Sequence, residues 1–130
     1  MSSVERYFGK ERLIISIDGE ATLGEAAERM HENAIGALLV TSEGGKVIGL
    51  ITERDVIAAL ALGADPSRAK VKYYMTPWTD VITITPDVTI EEALKVMIEN
   101  GIRHLVVVQG DRVVGILSMR DLCAALLTPS

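Results

Sequence analysis

Two short stretches carry the polar chemistry of this chain. Gly49 to Asp55 reads GLITERD and Gly115 to Asp121 reads GILSMRD, each an apolar run ending in a hydroxyl and, three residues on, an aspartate. Thr52 and Ser118 lie 66 positions apart, as do Asp55 and Asp121, so one polar corner is written twice. A hydroxyl followed at i+3 by an acid has capping-box spacing, in which the hydroxyl accepts from a first-turn amide and the acid stabilises the helix start. The same groups suit a ligand, because a carboxylate offers two acceptor oxygens to a pair of sugar hydroxyls. Two further boxes, Thr22-Leu-Gly-Glu25 and Thr89-Ile-Glu-Glu92, end in glutamate. Its longer arm is expected to reach back to the cap amide, whereas the shorter aspartates can instead point outward. Spacing alone leaves both readings of the corner open.

The other reactive residue types offer less. His31 and His104 have no metal-ligand spacing. Cys123 is the sole cysteine, which excludes an internal disulfide or a cysteine-based metal cluster and favours a reducing compartment. Lying in an apolar helix, it reads as core rather than nucleophile. Tyr7, Tyr74, Trp78 and Met75 read as cover for the core, or as groups against which a purine packs. No nucleophile is paired with a base and no glycine loop is built to cradle phosphate, so an enzyme ranks below a ligand sensor or an interaction module.

Both corners sit at the end of a repeated architecture. At an offset of 67, Val4 pairs with Val71, Tyr7 with Tyr74, Ile17 with Ile84, Thr22 with Thr89, Ala26 with Ala93, Met30 with Met97 and Ile35 with Ile102. One residue drops out near Ser42 and Glu43, and at 66 the match resumes through Gly49/Gly115, Arg54/Arg120 and Leu60/Leu126. A deletion confined to a turn is what two related folded units show, since turns tolerate length changes that strands and helices do not. Each unit reads as a strand (LIISI or VITI), a capped helix, a hairpin built on ALLVT/VIGLI or LVVVQ/VVGIL, and a second helix. GADPSRAK, stopped by Gly63 and Pro66, reads as the linker. The expected boundaries are residues 4–62, a linker at 63–70, and 71–127. The second helices, Val56 to Leu62 and Leu122 to Leu127, are apolar around their circumference, which places them in a core or against another subunit.

Bulk composition narrows the partners. A net charge of −5 and 24% charged residues describe an ordinary soluble surface, so a coat for nucleic acid or anionic membrane is not expected. No apolar run is long enough to span a bilayer and the first residues lack a signal-peptide pattern, so the expected location is the cytoplasm.

With GLITERD and GILSMRD closing the hairpins, ENAIGALLV and ENGIRHLVVV preceding them and YYMT after the linker, the chain resembles a tandem pair of cystathionine β-synthase (CBS) domains, a Bateman module. The resemblance implies an α+β fold of two pseudosymmetric β-α-β-β-α units packed sheet to sheet. It also implies two clefts for adenosine ligands such as AMP, ADP, ATP or S-adenosylmethionine, with no catalytic cofactor. Carried over by residue, Ser118 and Asp121 would hold one ribose, with Ala21, Ala26, Ile35 and Ile116 around the adenine. Thr52 and Asp55 would hold the other, with Val88, Ala93, Ile102 and Leu50. The backbone of Ile35 and Ile102 would read the adenine edge. Arg103 and His104 stand where relatives often place phosphate-binding residues, while the first half has Gly36 and Ala37. Arg54 and Arg120 suit phosphate too, or ion pairs with their acidic neighbours. The implied role is an energy or metabolite sensor acting in trans on a separate effector protein; a ligand-free interaction module is the alternative. A disk-like homodimer through the Val56–Leu62 and Leu122–Leu127 helices completes the expectation.

Overall fold

The computed structural model describes residues 3–7 and 14–127. Among these, α+β structure runs in the order β1 (Ser16–Asp18), α1 (Leu23–Asn33), β2 (Ala37–Thr41), β3 (Val47–Thr52), α2 (Glu53–Ala61), β4 (Thr76–Pro77), β5 (Thr83–Ile84), α3 (Ile90–Asn100), β6 (His104–Gln109), β7 (Arg112–Ser118) and α4 (Met119–Leu127). Single 3-10 turns occupy Val4–Tyr7, Val71–Tyr73 and Trp78–Asp80. The repeated strand, helix, hairpin and helix are therefore present twice, with opening strands shorter than the apolar runs LIISI and VITI.

Two compact units result. One is Ile15–Val81, with a four-stranded sheet in the order β1-β2-β3-β4; the other joins residues 3–7 to residues 82–127 around a three-stranded sheet, β5-β6-β7. In each, the helical crossover sets the first two strands parallel and the hairpin adds an antiparallel third. Helix α1 buries Leu23, Ala26 and Met30 along one face, against Ile17, Leu38, Val40 and Ile51 of the sheet and Val56 and Ala59 of α2. The second core repeats this with Ile90, Ala93 and Met97 on α3, Ile84, Leu105, Val107 and Leu117 in the sheet, and Leu122 and Ala125 on α4. Gly49, the first residue of GLITERD, faces β4: a Cβ there would lie 2.5 Å from the Thr76 carbonyl oxygen, so only glycine lets β4 approach.

The compact units do not coincide with the sequence repeats. Val71, which opens the second repeat, is fully buried in the core of the first unit, and Val4, its counterpart in the first repeat, is fully buried in the core of the second. The hydrogen bonds obey the same 67-residue offset. Val71 N–H donates to Ala21 O at 2.8 Å and Lys72 N–H to Gly19 O at 3.0 Å; Val4 N–H donates to Val88 O at 2.8 Å and Glu5 N–H to Pro86 O at 3.1 Å. Thr22 bridges Lys70, and Ser3 bridges Thr89. Each unit is thus completed by the opening segment of the other repeat, and the linker is docked backbone rather than a loose tether. Side chains reinforce the first dock: Lys70 at the end of the linker and Lys72 just after it lie 2.7 and 2.6 Å from the two Glu20 carboxylate oxygens. The hydrogen bonds from Lys70 and Lys72 hold that exposed carboxyl at about 2, below its ordinary 4.5.

The second helices bury only a stripe. Val56 and Ala59 of α2 and Leu122 and Ala125 of α4 enter the cores, while Ile57, Leu60, Leu62, Leu126 and Leu127 remain exposed, Ile57 at 66% and Leu127 at 85%. Cys123, expected in the core, is exposed. It directly follows the buried Leu122, and one residue is about 100° of helical rotation at 3.6 residues per turn, which carries it off the buried stripe.

Candidate functional site

Each corner starts where a hairpin strand becomes a helix. The antiparallel register sets Ala37 opposite Thr52 in the first unit and His104 opposite Ser118 in the second. Thr52 Oγ1 accepts from Asp55 N–H at 3.2 Å while Thr52 N–H donates to Asp55 Oδ2 at 2.9 Å. Ser118 Oγ accepts from Asp121 N–H at 3.0 Å and Ser118 N–H donates to Asp121 Oδ2 at 2.9 Å. Both corners are closed capping boxes.

This reverses the expectation about acid length. Thr22 Oγ1 accepts from Glu25 N–H at 3.1 Å and its hydroxyl donates to Glu25 Oε1 at 3.3 Å, and Thr89 Oγ1 accepts from Glu92 N–H at 3.1 Å. The arm that closes onto the cap amide is the aspartate's. At α1 the docked linker has already met the helix start: Leu23 N–H donates to Ala69 O and Gly24 N–H to Pro66 O, each at 2.9 Å. In each box it is the Oδ2 oxygen of the aspartate that meets the cap amide.

A second contact ties a loop to each corner. The first amide of α2, Glu53 N–H, donates to Gly36 O at 2.9 Å, and the first amide of α4, Met119 N–H, donates to Arg103 O at 2.8 Å. Nothing in the amino-acid pattern marks Gly36 or Arg103 as a backbone cap, so sequence reasoning missed it. The bond holds Arg103 and His104 beside Ser118 and Asp121, and Gly36 and Ala37 beside Thr52 and Asp55. The two sites therefore share a backbone and differ in charge. Arg103 is exposed and His104 half-buried, whereas the matching first-unit positions carry no charge.

The remaining candidates fall into distinct environments. Ala26 and Ala93 are fully buried in their units' cores, and Leu50 is 6% exposed. Ala21, Ile35, Val88, Ile102 and Ile116 are half-buried, while Arg54 and Arg120 are exposed. Leu50 and Ile116 precede their hydroxyl by two residues in β3 and β7, which puts them on the hydroxyl's face of the sheet. Ile35 N–H donates to Met30 O and Ile102 N–H to Met97 O, each at 3.0 Å, closing the ends of α1 and α3. Their amides are committed, so an adenine edge would be read by the carbonyls. Among the described residues, no group of three or more His, Cys, Asp or Glu side chains is placed to hold a metal ion. Nor is any of their helices long and apolar enough to cross a membrane.

Comparison with known proteins places this geometry. The CBS domain matches residues 12–62 and again residues 71–128. An uncharacterized 17.7 kDa protein of Acidianus ambivalens is 41% identical over 107 residues, covering 82% of this chain and 63% of that protein. The chain spans between 53% and 63% of the length of three curated relatives. A CBS-domain protein of Pyrobaculum aerophilum, solved in complex with AMP, is 27% identical and superposes with a TM-score of 0.81 over 97% of this chain and 96% of its own. The CBS domain pair of protein MJ0100, solved with 5′-methylthioadenosine and S-adenosylmethionine, is 26% identical with a TM-score of 0.82 over 96% and 95% of the two chains.

Proposed function

Because the chain belongs to the CBS-domain family and carries the domain twice, we propose that it is a regulatory module that binds an adenosine ligand and catalyses no reaction on it. The observation that carries this reading is the duplicated corner, in which a strand end, a closed hydroxyl–aspartate box and a loop carbonyl recur with matching bonds. Two structural relatives solved with AMP, or with 5′-methylthioadenosine and S-adenosylmethionine, support the ligand class. In this reading Asp121 and Ser118 hold one ribose and Asp55 and Thr52 another. Ile116 and Leu50 pack on the base, with Ala21, Ala26, Ile35, Val88, Ala93 and Ile102 as the further adenine-side residues. Arg103, His104 and Arg120 meet phosphate.

Regulation runs in trans: ligand binding favours one conformation of the pair and a separate effector protein in the cytoplasm reads the difference. The exposed apolar side chains of α2 and α4, Ile57, Leu60, Leu126 and Leu127, support a homodimer through those helices. Titration calorimetry with AMP tests the site. A hydrogen bond to a charged group contributes about 1.5 to 3 kcal/mol, so Asp121→Ala is expected to weaken AMP roughly 10-fold to 100-fold. Wild-type affinity in both Asp121→Ala and Asp55→Ala would reduce the corners to helix caps.

A further inference from the structure

Ala21 and Val88, both proposed above as adenine-side residues, lie on the loops that join the first strand of each unit to its first helix. From the bonds that reach those loops we infer that the opening segments, residues 70–72 and 3–5, are positioning elements of the ligand sites. Docking of Val71 and Val4 sets where Ala21 and Val88 stand, so docking and ligand binding form one coupled equilibrium. The inference rests on the adenosine-binding reading and adds to it the segments through which binding is felt.

The carbonyl of each adenine-side residue accepts from the incoming valine at 2.8 Å, Ala21 O from Val71 N–H and Val88 O from Val4 N–H. Two residues earlier on each loop, Gly19 O accepts from Lys72 N–H at 3.0 Å and Pro86 O from Glu5 N–H at 3.1 Å. The bridges from Thr22 to Lys70 and from Thr89 to Ser3 pin the other end of the same loops. Both valines are anchors with no exposed surface, while Ala21 and Val88 stay half-buried. A loop pinned from outside follows its pin, so an undocked valine releases the adenine-side residue with it. By linkage, a ligand that needs that residue in place favours the docked segment by the same factor that docking favours the ligand.

The two couplings differ in strength. The first dock also meets the start of α1 through Ala69 O and Pro66 O, and Lys70 and Lys72 pair with Glu20. Among the described residues, Ile90 and Glu91 at the matching helix start receive no such bond from residues 3–5, and Ser3 and Glu5 supply no cation. The second dock therefore opens more readily, and residues 3–5 register ligand more strongly than residues 70–72.

The test is titration calorimetry of the full chain with AMP in Val4→Ala, Val71→Ala and the matched controls Val107→Ala and Val40→Ala. The controls are also fully buried, in the second and first cores respectively. All four variants delete the same methyl groups, so they share a loss of packing and differ in whether the valine anchors a dock. Val4→Ala is expected to weaken AMP at one site roughly 3-fold to 10-fold, and Val71→Ala less. Both controls should keep wild-type affinity, with circular dichroism confirming that each variant is folded. In wild type, AMP should slow hydrogen exchange at the amides of residues 3–5 and leave the exposed turn at residues 44–45 unchanged. That measurement needs no variant and decides the matter should Val4→Ala fail to fold. Equal affinities in Val4→Ala and Val107→Ala, or exchange at residues 3–5 that AMP does not slow, would overturn the coupling while adenosine binding stands. If neither AMP nor 5′-methylthioadenosine binds wild type, the adenosine reading itself fails and the coupling with it.

Discussion

The two docks that complete the units match in their backbone hydrogen bonds and differ in the charged residues beside them. In the first unit Lys70 and Lys72 come down on Glu20. At the positions 67 residues away, the second unit has Ser3 and Glu5 in place of the two lysines and Asp87 in place of Glu20, and the Asp87 carboxylate accepts from the hydroxyl of Thr85. The apolar plug is the same in both, a valine with no exposed surface. Packing and backbone pairing thus define the dock, and charge is an independent variable laid over it. The first dock is reinforced by two ion pairs, and the matching positions of the second carry no cation to form them.

Removing the plugs should have the largest effect. Val71→Ala and Val4→Ala each delete buried methyl groups and should each cost about 2 kcal/mol, read as a shift in urea midpoint. Should Val4→Ala be silent while Val71→Ala destabilises, the likeness of the two docks is broken. Reversing the charges should have a smaller effect of opposite sign in the two units. Lys72→Glu should lower the melting temperature and Glu5→Lys should raise it, both fading in high salt because these side chains are exposed. Equal and same-signed changes would show that the charges do not act through the docks. Acid should have the smallest effect. The Glu20 carboxyl is depressed in the folded chain to about 2 from 4.5, so its contribution is present above 4.5 and is lost as pH falls from there through about 2. Over that window the melting temperature of wild type should converge on that of Glu20→Gln, and curves that remain parallel would remove Glu20 from the account.

Four helices and two hairpins were legible in the amino-acid pattern because their signals are local. Thr22, Thr52, Thr89 and Ser118 each stand one helical turn before an acid, and Leu23, Ala26 and Met30 mark one face of α1. The corner residues were legible because they recur. Hidden from such reading was whatever depends on which chain segment arrives from a distance. At helix α1 the Glu25 arm meets the Thr22 hydroxyl, and Pro66 and Ala69 come from the linker to the first amides. Gly36 and Arg103 matter through their carbonyls, which no side chain advertises. The circumference of α2 reads as uniformly apolar, but only its neighbours determine that Val56 and Ala59 turn inward while Ile57 and Leu60 turn outward. Val4 and Val71 align as equivalent residues, and alignment carries no information that each belongs to the opposite core.

The exchange of opening segments also imposes an order on synthesis. A ribosome makes Val4 before any other residue of the second core, yet that core reaches to Leu122 and Ala125 near the far end of the chain. The first unit, Ile15–Val81, has all its parts once Val81 has left the tunnel. Its corner at Thr52 and Asp55 is available to close while Ser118 and Asp121 are still untranslated. Val4 must wait through the making of the whole intervening unit before its pocket exists. A nascent chain paused between the two repeats therefore presents one finished corner and one unplaced valine.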